Sequence, residues 1–317
     1  GVYPRECRSG SAADRTVIAV EGVSKIYRSL TSRTTVEALS EFSLQVSRGE
    51  VVGVAGPNGA GKSTMISLLL GFLEPTAGRV RIDGLAPRAY VESRGVGYLT
   101  ELVAVHPRWT VASALARFAS LGGLGASAPA RIHEAIEVTG LEEHRTKTVK
   151  QLSKGTLQRL GLAQAIMADR DLVILDEPTH GLDPLWTQRF RDIVLKLRRP
   201  GRSIVIASHN LDELERIADR VAIIHRGRLQ RIVRSGEGTA ATSFRLVLAS
   251  PFGALLDAFP GAIEVEGRDR EYRVRGELSG LNAGLAALIA QGGQVAGFYP
   301  EESRLEREFR AAVGEDQ

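Results

Sequence analysis

Apolar residues fall at every second position in Phe42, Leu44 and Val46, the period of a strand with one face buried. VIAVEGV, from Val17, and ALSEFSLQV read as strands on either side of a polar loop. In EVVGVAG the apolar run is continuous, as expected of a strand covered on both faces. The period then lengthens. Met65, Leu68, Leu69 and Phe72 share one side of a helix predicted over Lys62–Phe72. Residues 110–150 carry a helical pattern broken by LGGLGASAP, a loop by its glycines. LVILD and SIVIAS repeat the buried-strand pattern, each followed by a helical segment, and VAIIHRGRLQRI predicts a hairpin turning at Arg226–Gly227. Strands alternating with helices predict an α/β domain with a largely parallel sheet.

From Thr242 the rhythm changes. FRLVLA, AIEVEG, EYRVRG and QVAGFY read as strands; FGALLDAF, LNAGLAALIAQ and RLEREFRAAV read as helices. That βαββαβ order with a terminal helix predicts a small α+β, ferredoxin-like domain. Leu305, Phe309 and Val313 lie on one face of the last helix, a stripe expected to pack into a core.

The chain has 317 residues, long enough for about two domains. Its net charge of +4 is uneven: residues 1–234 hold 33 basic and 24 acidic side chains, and residues 235–317 hold 8 and 13. The change of sign predicts a boundary near Ser235-Gly236-Glu237-Gly238, between a domain over 16–234 and a second over 240–317. The basic residues are scattered without interleaved aromatics, so no specific nucleic-acid partner is expected. Residues 1–15 read as a flexible tail without the apolar core of a secretory signal. Cys7 is the single cysteine, which excludes a disulfide framework and a thiolate metal site. No apolar run reaches the roughly 18 residues of a membrane-spanning helix.

Between a buried strand and a helix stands GPNGAGKST, which fits G-x-x-x-x-G-K-[ST]. Gly56, Pro57, Asn58, Gly59, Ala60 and Gly61 form a loop whose backbone N–H groups can turn toward phosphate oxygens. The helix start adds partial positive charge. Lys62 is placed to reach the β- and γ-phosphates, Ser63 offers a hydroxyl to magnesium, and Thr64 completes the motif. An incidental Gly-rich turn does not explain the strand–loop–helix context. Downstream, LVILDEP ends in Asp176, suited to hold magnesium through water, and Glu177, suited to polarise an attacking water. An Asp-Glu pair alone is more often a cap or a turn; together with the loop it describes a nucleotide-hydrolysis site.

LSKGTLQRL, Leu152–Leu160, is not needed for that chemistry. It resembles the signature segment of the ATP-binding subunits of ATP-binding cassette (ABC) transporters, and the resemblance covers residues 16–234, with a helical part over about 100–165. The resemblance implies a P-loop ATPase fold, ATP and Mg2+ as ligands, and two copies closing head to tail on two ATP. It implies that Ser153 and Gly155 touch the γ-phosphate held by the other copy, that Tyr27 stacks on adenine, and that Asp183 in GLDP lies near the dimer seam. It further implies that His209 in ASHN contacts the γ-phosphate. A core tyrosine and a structural histidine are the competing readings of Tyr27 and His209. The general signature is LSGGQ, so Lys154 and Thr156 depart from it; a Ser-Lys-Gly form is familiar in ABC-2 type exporters. GYLTE puts Glu101 where a glutamine usually meets magnesium, and ABC-2 relatives often carry GYLPE.

The tail resembles the small carboxy-terminal domain of some ABC-2 ATPases. The implied function is the motor of a membrane exporter, peripheral at the cytoplasmic face of the cell membrane, driving a separate integral-membrane permease through the surface around Glu101. The alternative is a non-transport ABC ATPase associated with ribosomes or chromosomes. The single phosphate loop and the lack of sustained heptads count against it.

Overall fold

The structure, a computed structural model, describes residues 16–28, 35–234, 243–265, 267–301 and 304–314. The tail expected over 1–15 and the junction expected at Ser235–Gly238 lie outside these residues. The chain divides into two compact units between Ser235 and Gly236.

In the first unit, β1 (Thr16–Arg28), β2 (Thr35–Ser47) and β4 (Ala77–Ile82) form a three-stranded antiparallel sheet in the order β2-β1-β4. Phe42, Leu44 and Val46 are buried, as their alternation predicts. The sequence reading missed β4, whose only buried side chains are Val80 and Ile82 among arginines. Its register against β1, with Ile18 opposite Ile82 and Val20 opposite Val80, supplies what the short pattern lacks.

The second sheet has six strands in the order β5-β6-β7-β3-β8-β9, where β3 is Val51–Ala55, β5 Gly97–Leu99, β6 Leu172–Asp176, β7 Ser203–Ser208, β8 Arg220–His225 and β9 Arg228–Arg234. All pairs are parallel except β8–β9, which form the expected hairpin. Every residue of β3, β6 and β7 is buried, the condition their continuous apolar runs anticipate. Each fully buried aliphatic side chain there contributes on the order of 1.5–3 kcal/mol.

Helix α1 (Lys62–Leu69) is shorter than the pattern predicts. Gly71 follows at φ 69°, and a Cβ there would meet the Arg88 backbone nitrogen at 2.6 Å, so the chain turns out of the helix. Phe72 is consequently 67% exposed instead of on the buried face. The later helices are α2 (Pro87–Arg94), α3 (Val111–Leu121), α4 (Ala128–Val138), α5 (Lys154–Met167), α6 (Pro184–Leu197) and α7 (Leu211–Ile217). Leu115, Ile136, Leu141, Leu160 and Met167 join α3, α4 and α5 in a core of their own.

Among its described residues the second unit has four strands, β10 (Ser243–Leu248), β11 (Ile263–Glu264), β12 (Glu271–Arg275) and β13 (Val295–Pro300). They pair antiparallel throughout in the order β11-β12-β10-β13. With α8 (Leu255–Ala258) after β10 and α9 (Leu278–Ala290) after β12, this is the ferredoxin-like arrangement. Phe244, Leu246, Leu248, Val274, Leu281 and Leu288 fill its core, with Phe298 stacked on Phe244 at 4.9 Å. In the last helix, α10 (Arg304–Val313), Leu305 is buried and Phe309 and Val313 are half-buried.

Candidate functional site

Strand register brings together residues that lie far apart in the chain. Ala55 pairs with Ser208, and Asp176 pairs with Ala207, so β3, β6 and β7 end side by side. The loop that begins at Gly56, the Asp176–Glu177 step and His209 therefore leave the sheet at one carboxyl edge, where parallel sheets hold ligands.

The loop needs glycine where the backbone is crowded. A Cβ at Gly56 would lie 2.4 Å from the Ile224 carbonyl oxygen. Gly61, at φ 112°, opens α1 and would meet the Ala38 oxygen at 2.7 Å. Gly59, at φ 79°, faces open space. Lys62 is 6% exposed and donates to the carbonyls of Gly56 at 2.7 Å and Pro57 at 3.3 Å. Its ammonium also lies 3.5 Å from Glu177 Oε1. Ser63 is exposed in the first turn of α1. Tyr27 is 40% exposed, outside the core, and its hydroxyl lies 3.4 Å from Thr64 Oγ1.

Asp176 is buried, and its Oδ1 has no hydrogen-bond partner. Burial, then the charges of Glu101 and Glu177, push its pKa up to about 6 against the pull of Lys62. An orphaned buried carboxylate oxygen among like charges fits a divalent cation, and the exposed hydroxyl of Ser63 suits the same ion. Among the described residues no cluster of three or more His, Cys, Asp or Glu forms a metal cage. Glu101 is exposed in the bend after β5.

Glu177 is 6% exposed and adopts φ 46°, a left-handed conformation that costs a non-glycine residue on the order of 1–3 kcal/mol. Three contacts hold it there. Its N–H donates to the Ala207 carbonyl at 2.8 Å, its carbonyl accepts from Gln158 Nε2 at 3.2 Å, and its Oε2 lies 2.7 Å from His209 Nδ1. The His209 side chain is otherwise 63% exposed.

Two residues of this framework escaped the sequence reading. Gln158, 5% exposed on α5, also donates to the Pro178 carbonyl at 3.2 Å. A glutamine set among Leu157, Leu160 and Leu162 in that helix is the available signal. Glu213 on α7 is fully buried, and its Oε2 accepts from Thr179 Oγ1 at 2.5 Å. Burial raises its pKa to about 7, offset in part by Thr179 and Arg191. Its helix carries three acidic residues, Asp212, Glu213 and Glu215, and the sequence alone does not say which one turns inward.

Ser153 and Asp183 each cap a helix. Ser153 Oγ accepts from Thr156 N at the start of α5, and Asp183 Oδ1 accepts from Trp186 N at 2.9 Å at the start of α6. Gly155 packs against this second segment: a Cβ there would meet the Gly181 oxygen at 2.9 Å. Ser153 and Asp183 are exposed. Among the described residues no hydrogen bond or ion pair joins Ser153, Gly155 or Asp183 to Lys62, Asp176, Glu177 or His209.

Comparison with known proteins gives the family. Residues 39–180 match the ABC transporter family model. An uncharacterized ABC transporter ATP-binding protein of Nostoc is 40% identical over 68% of the chain and 65% of its own length. A second cyanobacterial relative is covered over 61%, so the chain spans just under two thirds of these two relatives. An uncharacterized ABC transporter ATP-binding protein of Bacillus subtilis is 33% identical over 87% of the chain and 91% of its own length. The daunorubicin resistance ATP-binding protein DrrA3 of Streptomyces coeruleorubidus is 36% identical over 71% and 69%. The solved ATP-binding subunit of an ABC transporter superposes with a TM-score of 0.62 at 29% identity, over 69% of this chain and 90% of that one. With its phosphate loop, paired carboxylates and signature helix arranged as described, this chain belongs to the family of ABC transporter ATP-binding proteins.

Proposed function

We propose that the chain binds and hydrolyses ATP as the motor subunit of an ABC-2 type exporter. Two copies close head to tail on two ATP, and a separate integral-membrane permease receives the movement at the cytoplasmic face of the cell membrane. The reading rests on the meeting of Lys62, Asp176, Glu177 and His209 at three neighbouring strand ends, while Ser153 opens a different helix with its side chain exposed.

Lys62 and the N–H groups of residues 56–64 cradle the β- and γ-phosphates, and Tyr27 stacks on the adenine. Ser63 and Asp176, with Glu101, would hold Mg2+, which supplies neutralising charge across the phosphates. Glu177 orients and polarises the attacking water. His209, hydrogen-bonded to Glu177, contacts the γ-phosphate and holds the carboxylate in place. Ser153 and Gly155 bring a helix amino terminus to the γ-phosphate of the second copy. Asp183 lies at the seam. Residues 16–234 form the motor and residues 240–317 an accessory domain. Among the described residues no helix is long and apolar enough to cross a membrane. Export is supported by the drug-resistance relative and by the Ser-Lys-Gly form of the signature.

The test is capture of tagged Glu177→Gln, with ATP, from detergent-solubilised native membranes, followed by mass spectrometry. A co-purifying multi-span membrane protein is expected. Ribosomal or DNA-associated proteins without a membrane partner would overturn the exporter reading.

A further inference from the structure

The segments that begin at Ser153 and Asp183 are joined by two bridges within the chain. The first is half-buried. Two guanidinium groups lie over the indole of Trp186, in the first turn of α6: Arg159 Cζ is 4.0 Å from the ring centroid and Arg189 Cζ 4.8 Å. Arg159 is carried by α5 and is only 8% exposed. Its Nη1 donates to the Gly140 carbonyl at 2.9 Å, and its Nη2 donates to Thr156 Oγ1 at 3.3 Å. Thr156 Oγ1 in turn lies 2.8 Å from Ser153 Oγ. Gly140, at φ 57°, makes room for the ring, since a Cβ there would meet Trp186 Cη2 at 2.6 Å. The second bridge is exposed. Lys154 Nζ donates to His180 Nε2 at 2.6 Å, and the lysine methylenes cover Gly181, where a Cβ would meet Cδ at 2.9 Å.

We propose that Trp186 is a positioning residue: stacked on Arg159, it locks the Asp183 end of α6 to the Ser153 end of α5, so that both segments meet the second copy as one body. This rests on the reading above, in which both face that copy's ATP. A buried guanidinium is costly to strip of its partners. Arg159 finds them in two carbonyls, a hydroxyl and the indole face, contributed by α5, the turn at Gly140 and α6. Sliding α6 against α5 would break that set. The same guanidinium donates to Thr156 Oγ1, which shares a hydrogen bond with Ser153 Oγ, so the signature serine is tied to Arg159 through one hydroxyl. Lys154 and Thr156, the two departures from LSGGQ, are the residues through which these bridges run.

The experiment compares Trp186→Leu with Trp186→Phe, measuring steady-state ATPase and, in the Glu177→Gln background, ATP affinity and ATP-dependent dimerisation by light scattering. Trp186→Leu is expected to lower kcat about tenfold, with KM and single-copy ATP affinity within about twofold, and to weaken the dimer about tenfold. Trp186→Phe, which keeps an aromatic face, is expected to retain at least about a third of kcat. Should Trp186→Leu not fold, Arg159→Lys keeps the charge, loses the planar stack and carries the same expectation. Unchanged kcat and dimerisation in Trp186→Leu would overturn the proposal. So would a loss that appears equally in single-copy ATP affinity, or a failure of Trp186→Phe to rescue. If Glu177→Gln itself does not dimerise with ATP, the head-to-tail reading fails; if it dimerises and the double variant dimerises equally well, only the role of Trp186 fails.

Discussion

The phosphate-loop end and the signature end of the first unit solve opposite problems. At the phosphate-loop end Lys62, Asp176 and Glu177 are each less than 7% exposed, and their charges answer to one another within the chain. There burial raises the Asp176 pKa, and hydrogen bonds from Gln158 and to Ala207 hold Glu177 in a left-handed backbone. At the signature end Ser153 and Asp183 are exposed, and each caps its own helix. A site that handles charge must be desolvated before its groups perturb each other. On the proposed reading the signature end is offered to a second copy; such a surface has to keep its donors accessible and is made rigid from behind, by Arg159 and Trp186.

The sharpest way to break this contrast is Glu177→Gln. Loss of the polarising carboxylate should lower turnover about 10³-fold while ATP binding persists, measured as phosphate release against nucleotide affinity. Unchanged turnover would remove Glu177 from its assigned role.

Burial at the phosphate-loop end can be tested through stability alone. The Asp176 carboxyl has a pKa of about 6 in the folded chain against an ordinary aspartate value of 3.8. The folded state thus binds the proton more tightly, so the destabilisation is absent below 3.8, grows as pH rises toward 6 and is complete above it. Asp176→Asn should therefore be more stable than the native chain at pH 8 by up to roughly 3 kcal/mol, with the gain vanishing near pH 4. Denaturant melts at the two values decide it; a gain independent of pH would refute desolvation as the cause.

Ser153→Arg should lower ATPase activity by about 10²-fold and abolish ATP-dependent dimerisation, with single-copy ATP affinity retained. Lost single-copy affinity would mean that Ser153 acts on its own chain's nucleotide, and the contrast between the two ends would dissolve. The smallest effect belongs to Tyr27→Ala, which removes an exposed ring beside Thr64. ATP affinity should fall by about fivefold, the magnitude of one lost aromatic stack, read by calorimetry.

Much of the phosphate-loop end was legible in the sequence because its parts are contiguous. The run from Gly56 to Thr64 and the strand ending at Asp176 carry their order and their flanking elements with them. The predicted strands over 51–55, 172–176 and 203–208 are all present. Legibility failed where an element is short or its buried face small. β4 buries two side chains, and α1 stops early at a glycine that the apolar pattern runs past. Gln158 and Glu213 were missed because a polar residue on a helix shows its inward orientation only through what packs against it.

The sequence by itself determined the local chemistry: a glycine-rich turn before a helix, carboxylates at a strand end, a serine opening a basic helix, and a tail with strand–helix order of its own. These follow from backbone geometry and periodicity, which act over a few residues. Only the tertiary structure decided that Asp176 would be buried among like charges, that Ala55, Asp176 and Ser208 would end on adjacent strands, and that Arg159 would find an indole on another helix. Strand register and desolvation depend on neighbours distant in sequence, and the free energies they set exist only once those neighbours have packed.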